Sequence, residues 1–229
     1  MDKREFKDRL YTQFARVGRA LASPHRLELL DLLAQGERSV EELAGETSLT
    51  VANTSQHLRA LHQAELVANR RVGTRVLNRL AGPEVFTLWQ ALRRTAEVQL
   101  AEVDRVTTTY LSHREELEAI GPETLIQRLA DDQVILLDVR PALEFEQGHI
   151  AGARSIPLEE LAERMAELPT DRTVVAYCRG PYCVFADEAV QLLQTQGRPA
   201  LRLTSGYPEW AAAGLPTQRS PQIVGRRTS

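Results

Sequence analysis

Apolar residues recur at Phe6, Leu10, Phe14, Val17 and Leu21, spacings of three or four that place them on one helical stripe. Ser23-Pro24 opens a second helix, with serine at the cap and proline at the first helical position, running through Leu27, Leu30 and Leu33 to Gly36. Ser39 and Glu42 stand three apart, the spacing of a capping box, and Gly45 is expected to end that short helix. A further helix starts near Thr50 and carries Val51 to Leu61. Leu66 to Leu80 then reads as two strands around a Val-Gly-Thr turn. From Glu84 to about Glu118 a stripe of Val85, Leu88, Leu92, Ala96, Leu100, Val103, Val106 and Tyr110 runs without Pro or Gly. The pattern predicts one long helix, which cannot bury that stripe alone. We expect it to be a dimerisation helix, partnered by the N-terminal helix; packing on its own chain is the alternative.

After Gly121-Pro122 the pattern changes. Val134–Val139, Thr173–Tyr177 and Pro199–Leu203 are continuous apolar runs, as in strands buried on both faces. Helical stretches at 123–130, 158–167 and 184–196 lie between them, which predicts an α/β domain with a mostly parallel sheet. The expected organisation is two domains. Residues 1–120 form a mainly α winged helix-turn-helix with its dimerisation helix, 121–219 the α/β domain, and 220–229 a disordered tail.

The chain has 229 residues and a formal charge of −3, which argues against a uniformly basic nucleic-acid binder. The distribution says more. Residues 1–110 hold 16 Lys/Arg against 14 Asp/Glu, and the remainder 12 against 17. Within 50–79, Arg59, Arg70, Arg71, Arg75 and Arg79 oppose only Glu65. Two short helices around a turn form a helix-turn-helix, whose second helix would enter a DNA major groove. Its candidate DNA-binding residues are Asn53, Thr54, Ser55, Gln56, His57 and Arg59. Amides and guanidinium groups pair with base edges, and hydroxyls mostly hold phosphates. Arg70, Arg71 and Arg75 beside the hairpin tip suit phosphates or the minor groove. The expected partner is double-stranded operator DNA, read by a homodimer on a palindromic site.

Residues 20–80 resemble the winged-helix repressors of the arsenic-repressor (ArsR/SmtB) family. The matching stretches are Ala20–Leu27, Ser39–Ala44, Ser55–Leu61 and Leu66-Val67. The resemblance implies a homodimeric repressor that releases its operator when an inducer binds. Metal-sensing members carry a cysteine motif where this chain has Ser39-Val40-Glu41, and no cysteine precedes Cys178. No bound metal or cofactor is expected.

The two cysteines, Cys178 and Cys183, exclude a disulfide framework and a cysteine-only zinc site. The N-terminus lacks an apolar signal core and no run reaches the length of a membrane span, so a cytoplasmic protein with reduced thiols is expected. Cys178 follows a buried strand and precedes a helix, where open α/β sheets place their chemistry. Such a loop turns backbone N–H groups inward, binding anions and lowering a thiol pKa. Arg179, Gly180, Tyr182, Cys183 and Val184 are its candidate anion-binding positions, Pro181 having no N–H to give. Arg179 adds charge at the rim and is paired with Cys178 as a candidate catalytic residue.

Residues 123–217 resemble a rhodanese (sulfurtransferase) domain. The resemblance rests on Leu137–Arg140, Glu144, Gly148–Pro157, the Cys178 loop, Gly206–Trp210 and Gly214–Pro216. It implies that Cys178 takes a sulfane sulfur as a persulfide and passes it to an acceptor, with Asp138 and Arg140 as support linking strand to loop. Cys183 is either a resolving thiol, attacking a Cys178 persulfide to give a disulfide and free sulfide, or a small apolar residue in the helix packing. His149 is expected to be structural and His57 to face DNA. The leading expectation is a DNA-binding regulator, in repressor mode, whose second domain senses reactive sulfur species through Cys178. The alternatives are a thiosulfate or polysulfide sulfurtransferase using the helix-turn-helix mainly to dimerise, and a regulator that binds an oxyanion without sulfur transfer.

Overall fold

The computed structural model describes residues 1–220, and the chain divides into two compact units, Met1–Thr95 and Ala96–Ser229. All but the first residue of the expected tail, 220–229, lies outside the described residues.

The first unit contains α1 (Lys3–Leu21), α2 (Pro24–Gln35), α3 (Val40–Thr47), α4 (Val51–Gln63), β1 (Val67–Val72), β2 (Arg75–Leu80) and most of α5 (Pro83–Gln99). Its core is Leu29, Leu30, Leu33, Leu43, Leu58, Leu61, Leu66 and Val67, closed by Ala20 and Val85. Each fully buried leucine contributes about 1.5–3 kcal/mol against exposure. The capping box forms: Ser39 N–H donates to Glu42 Oε2 at 2.7 Å and Glu42 N–H to Ser39 Oγ at 3.3 Å. Thr50 caps α4 by accepting from the Asn53 N–H. β1 and β2 pair antiparallel from Val67↔Leu80 to Val72↔Arg75, leaving Gly73-Thr74 as the turn, with Gly73 at φ 61°.

Two expectations about the helices need correction. Gly45 does not end α3, which continues to Thr47 and stops at Ser48 in the left-handed region, φ 55°. The Thr47 hydroxyl donates to Leu43 O and holds the last turn, and a single internal glycine costs only about 1 kcal/mol. The 84–118 stripe is not one helix either. It breaks at Leu100, whose backbone is extended (φ −115°, ψ 101°), and resumes as α6 (Ala101–Tyr110). An apolar stripe records which face is sticky, and it says nothing about backbone continuity. The β-branched Val98, Val103, Val106 and Thr107–Thr109 also weaken helix propensity around the break.

The second unit continues with a 3₁₀ turn (Arg114–Glu116), β3 (Ala119–Ile120), α7 (Pro122–Ala130), β4 (Val134–Asp138), α8 (Ala142–Gln147), β5 (His149–Ile150), β6 (Arg154–Ser155) and α9 (Leu158–Arg164). It ends with β7 (Thr173–Tyr177), α10 (Phe185–Thr195), β8 (Ala200–Leu203), α11 (Tyr207–Ala212) and β9 (Thr217–Gln218). Five strands form one sheet in the order β3-β8-β7-β4-β6, every neighbouring pair parallel. β5 and β9 form a separate antiparallel ribbon. Residues alternate between faces as a strand requires. Ile135, Leu137, Val174 and Ala176 pack against Leu161, Ala189, Val190 and Leu193 on one side. Val134, Leu136, Val175 and Tyr177 pack against Leu125, Ile150 and Trp210 on the other. Helices on both faces leave the carboxyl ends of β4 and β7 as the open edge for chemistry.

Candidate functional site

α4 presents Asn53, Gln56 and Arg59 to solvent, with Ser55 and His57 half-buried. Thr54 departs from the expected exposed face. It is fully buried, and its hydroxyl donates to Thr50 O at 3.0 Å, so it braces the start of the helix. One helical turn separates Thr50 from Thr54, which is why the polar run Asn53–His57 cannot all face outward. His57 lies 5.4 Å from the His25 ring. Partial burial, then the charges of His25 and Arg26, hold its pKa below the ordinary histidine value.

The basic cluster is less bare than a count over 50–79 implies. Glu37 pairs with Arg70 at 2.6 Å and approaches Arg79, and Glu42 pairs with Arg75 at 2.5 Å. These carboxylates come from the α2–α3 segment, which pairs with the hairpin through an Arg38↔Asn78 bridge that no local pattern announces. Among the described residues Arg59 and Arg71 make no ion pair, which leaves them as the unspent cations of this surface.

The cysteine loop, residues 178–184, joins β7 to α10. Cys178 is 4% exposed and belongs to the core under α10, while Cys183 is half-buried and packs against the same cluster. A turn holds the loop closed, Cys183 N–H donating to Gly180 O at 3.1 Å. Cys178 Sγ lies 3.6 Å from Cys183 O. Burial pushes the Cys178 thiol well up, and its hydrogen bond to the Cys183 side chain reinforces that. The same bond draws Cys183 down, helped by the Arg179 and Phe185 N–H groups and the Arg179 charge. The loop is expected to lower the Cys178 thiol, and burial of that sulfur in the core under α10 raises it instead.

Arg179 is not a bare rim cation. Its Nε and Nη2 reach Glu144 Oε1 at 2.9 and 2.6 Å, and its guanidinium lies 5.6 Å from the Phe185 ring centroid. Glu144 is almost fully buried. Tyr182 stands exposed near the loop's outer corner, Pro181 donates nothing, and Val184 is the N-cap residue of α10.

Asp138 and Arg140 are both fully buried and ion-paired at 2.6 Å. Asp138 sits opposite Tyr177 in the β4–β7 register, one residue before Cys178. Arg140 also donates to Gly148 O at 2.8 Å and lies 4.5 Å from the Tyr207 ring centroid. The support they give the loop is indirect: Tyr207 N–H donates to Cys178 O at 3.2 Å. Gly206 completes this wall. A Cβ there would stand 2.4 Å from Gly180 N and 2.5 Å from Arg179 O, so only glycine lets the two backbones meet. His149 is structural, bonded to Phe145 O and stacked on that ring at 3.6 Å.

One functional contact had no signal in local sequence. Arg114, in the 3₁₀ turn after α6, donates to Pro181 O, to Cys183 O at 2.8 Å and to Asp187 of α10. Among the described residues there is no cluster of three metal-ligating side chains, and no helix is long and apolar enough to cross a membrane.

A winged helix built of α2 to β2, followed on the same chain by a parallel α/β domain with a cysteine loop at its strand ends, defines a helix-turn-helix regulator carrying a rhodanese-like domain. Residues 23–69 match the family model for bacterial regulatory proteins of the arsR family, and 121–213 match the rhodanese-like domain. The chain is 45% identical over 217 residues to the HTH-type transcriptional regulator Rv0324 of Mycobacterium tuberculosis, covering 95% of each. It belongs to the arsR family of transcriptional regulators, in a form that carries a rhodanese-like domain. A sulfurtransferase of Allochromatium vinosum is 42% identical over 98 residues, which are 42% of this chain and 91% of that protein. Among solved structures, the 1–100 fragment of Mb0332 from Mycobacterium bovis is described as a homodimeric winged helix-turn-helix DNA-binding domain. It is 44% identical, with TM-score 0.41, over 44% of this chain and 91% of the fragment.

Proposed function

We propose that this regulator binds operator DNA as a homodimeric repressor in the cytoplasm, and that its second unit reads reactive sulfur species through Cys178 and Cys183. The observation that carries the sensing role is that both of the chain's cysteines lie in one loop at the carboxyl end of β7, with Cys178 Sγ 3.6 Å from the carbonyl oxygen of Cys183. Asn53, Ser55, Gln56, His57 and Arg59 of α4 supply the base-reading face, and Arg71, with Arg70 and Arg75 beside it, the phosphate contacts. The apolar residues that α1 and α6 leave uncovered, Phe6, Phe14, Val106 and Tyr110, support a dimer.

The chemistry closes in atoms and charge. Cys183 thiolate takes the proton of Cys178, whose sulfur then attacks one sulfur of a hydrogen disulfide or longer hydropolysulfide. The donor's S–S bond breaks, Cys178 carries the added S–H, and hydrosulfide (or the shortened hydropolysulfide) leaves. Cys183 then loses its proton to solvent and attacks Cys178 Sγ, forming the Cys178–Cys183 disulfide and expelling a second hydrosulfide. Two thiols are oxidised, and the donor supplies the oxidising equivalents.

Operator binding of the full chain with and without polysulfide tests this, beside intact-mass measurement. The wild type is expected to lose affinity while first gaining one sulfur and then, as hydrogen sulfide leaves, ending two hydrogens lighter than the reduced chain. Cys178→Ser should do neither. Equal affinity for treated and untreated wild type sinks the sensing reading. The likeness to a sulfurtransferase over nearly all of its length favours a second reading, catalytic transfer from Cys178 to an external acceptor. Fast thiosulfate:cyanide turnover without operator selectivity would support that one. An oxyanion receptor is less well supported, because Glu144 already occupies the Arg179 charge and Pro181 offers no donor.

A further inference from the structure

Arg114 lies far from the cysteines in sequence and touches nothing else of the loop chemistry, yet its guanidinium closes the loop from outside. Its side chain is 15% exposed. One nitrogen reaches Pro181 O, another reaches Cys183 O at 2.8 Å, and Nε reaches Asp187 Oδ2 at 2.9 Å. Asp187, on the first turn of α10, also lies 3.1 Å from Arg202 of β8, which fixes it against the sheet. Cys183 O is therefore shared between Arg114 Nη2 and Cys178 Sγ, the latter at 3.6 Å. One carbonyl oxygen joins the reacting sulfur to the guanidinium. A second strut from the connecting helices meets the same loop within this unit, Tyr182 Oη donating to Glu97 at 2.5 Å.

We propose that Arg114 is the positioning residue that couples the state of the cysteine loop to the helical connector leading back to the DNA-binding unit. The inference rests on the sulfur-sensing reading above. In the reduced loop Cys178 and Arg114 meet at Cys183 O. Drawing Cys183 Sγ onto Cys178 Sγ to form the disulfide turns the 181–183 backbone and takes that oxygen, with Pro181 O, off the guanidinium. The 3₁₀ turn 114–116 then loses its anchor, and with it the end of α6. Such coupling requires contacts that differ between two states, and a shared carbonyl supplies them.

The test uses full-length wild type, Arg114→Gln and Arg114→Lys. Intact mass should show the same sulfur addition and disulfide formation in all three. Operator affinity should fall by about tenfold on polysulfide treatment in the wild type and change by less than about twofold in Arg114→Gln. Lysine keeps the charge opposite Asp187 but cannot span both carbonyls, so its response should fall between, and it serves as the readout if Arg114→Gln does not fold. A wild-type-sized response in Arg114→Gln, or in Arg114→Lys where that stands in, overturns the proposal. Backbone hydrogen exchange over 111–118 separates this failure from that of the sensing reading. Exchange should quicken when diamide forms the disulfide in the wild type and be already quick in reduced Arg114→Gln. If the wild type's operator affinity ignores sulfur donors, the sensing reading fails, and equal exchange in both oxidation states would overturn the Arg114 coupling independently.

Discussion

The face of α4 and the cysteine loop are the two surfaces on which the proposed function rests, and they are built in opposite ways. The α4 face is local. Asn53, Gln56 and Arg59 reach solvent because helical spacing puts them there once Leu58 and Leu61 are buried. The cysteine loop is a convergence. Its thiols come from one segment, but their setting is made by Arg114, Glu144 and the adjoining Gly206 and Tyr207, from three others. A surface of the first kind tolerates single changes without losing its shape, whereas one of the second kind depends on buried polar partners whose loss is costly.

The sharpest way to separate the two is to strike the buried pair beneath the loop. Asp138→Ala leaves the fully buried Arg140 charge uncompensated, which is expected to cost about 3–5 kcal/mol. Denaturation followed by circular dichroism should show the second unit unfolding early while the winged unit keeps its transition. Equal loss in both would mean that the units share one cooperative fold. No single change on the α4 face should approach that size. Gln56→Ala should cost about 1–3 kcal/mol of base discrimination, and Arg71→Ala should lower the salt slope of operator binding by about one while leaving discrimination intact. Thr54→Val is the control: it removes a buried hydroxyl and costs about 1 kcal/mol of stability without altering the base preference. A changed preference in Thr54→Val would return that residue to the DNA-reading surface.

The same contrast decides what was legible beforehand. Continuous apolar runs gave β4, β7 and β8, and Ser39 with Glu42 gave a cap, because these signals lie within a few residues of one another. The two-residue strands β3 and β6 have no such signal; they exist because β8 and β4 offer them an edge. The Arg cluster looked unopposed only because Glu37 and Glu42 stand outside the 50–79 window. Thr54 could have been flagged, since it falls four residues before the buried Leu58 on the same helical face. Glu144 was visible through the rhodanese resemblance without a role attached. Arg114 had no local signal, since its partners are 67 to 73 residues away.

The smallest expected effect concerns pH, and it tests whether the winged unit's charges matter to its fold. Burial alone would raise the Glu42 carboxyl, but the Ser39 N–H and Arg75 outweigh it and hold the group below its usual 4.5. A depressed carboxylate stabilises the fold above its unfolded value, and that contribution is lost as pH falls from there through the folded pKa. His57 runs the other way in charge with the same outcome in direction. Its native form stays neutral below the ordinary 6.5, so the unfolded chain takes up the proton first and stability erodes as pH drops from 6.5 to the folded value. Acid titration of the winged unit's stability should therefore fall in two windows. Glu42→Gln should remove the lower one, worth about 0.2–1 kcal/mol for a partly exposed pair, and leave the upper. His57→Gln should remove only the upper. A single window insensitive to both variants would show that neither group feels its neighbours in solution.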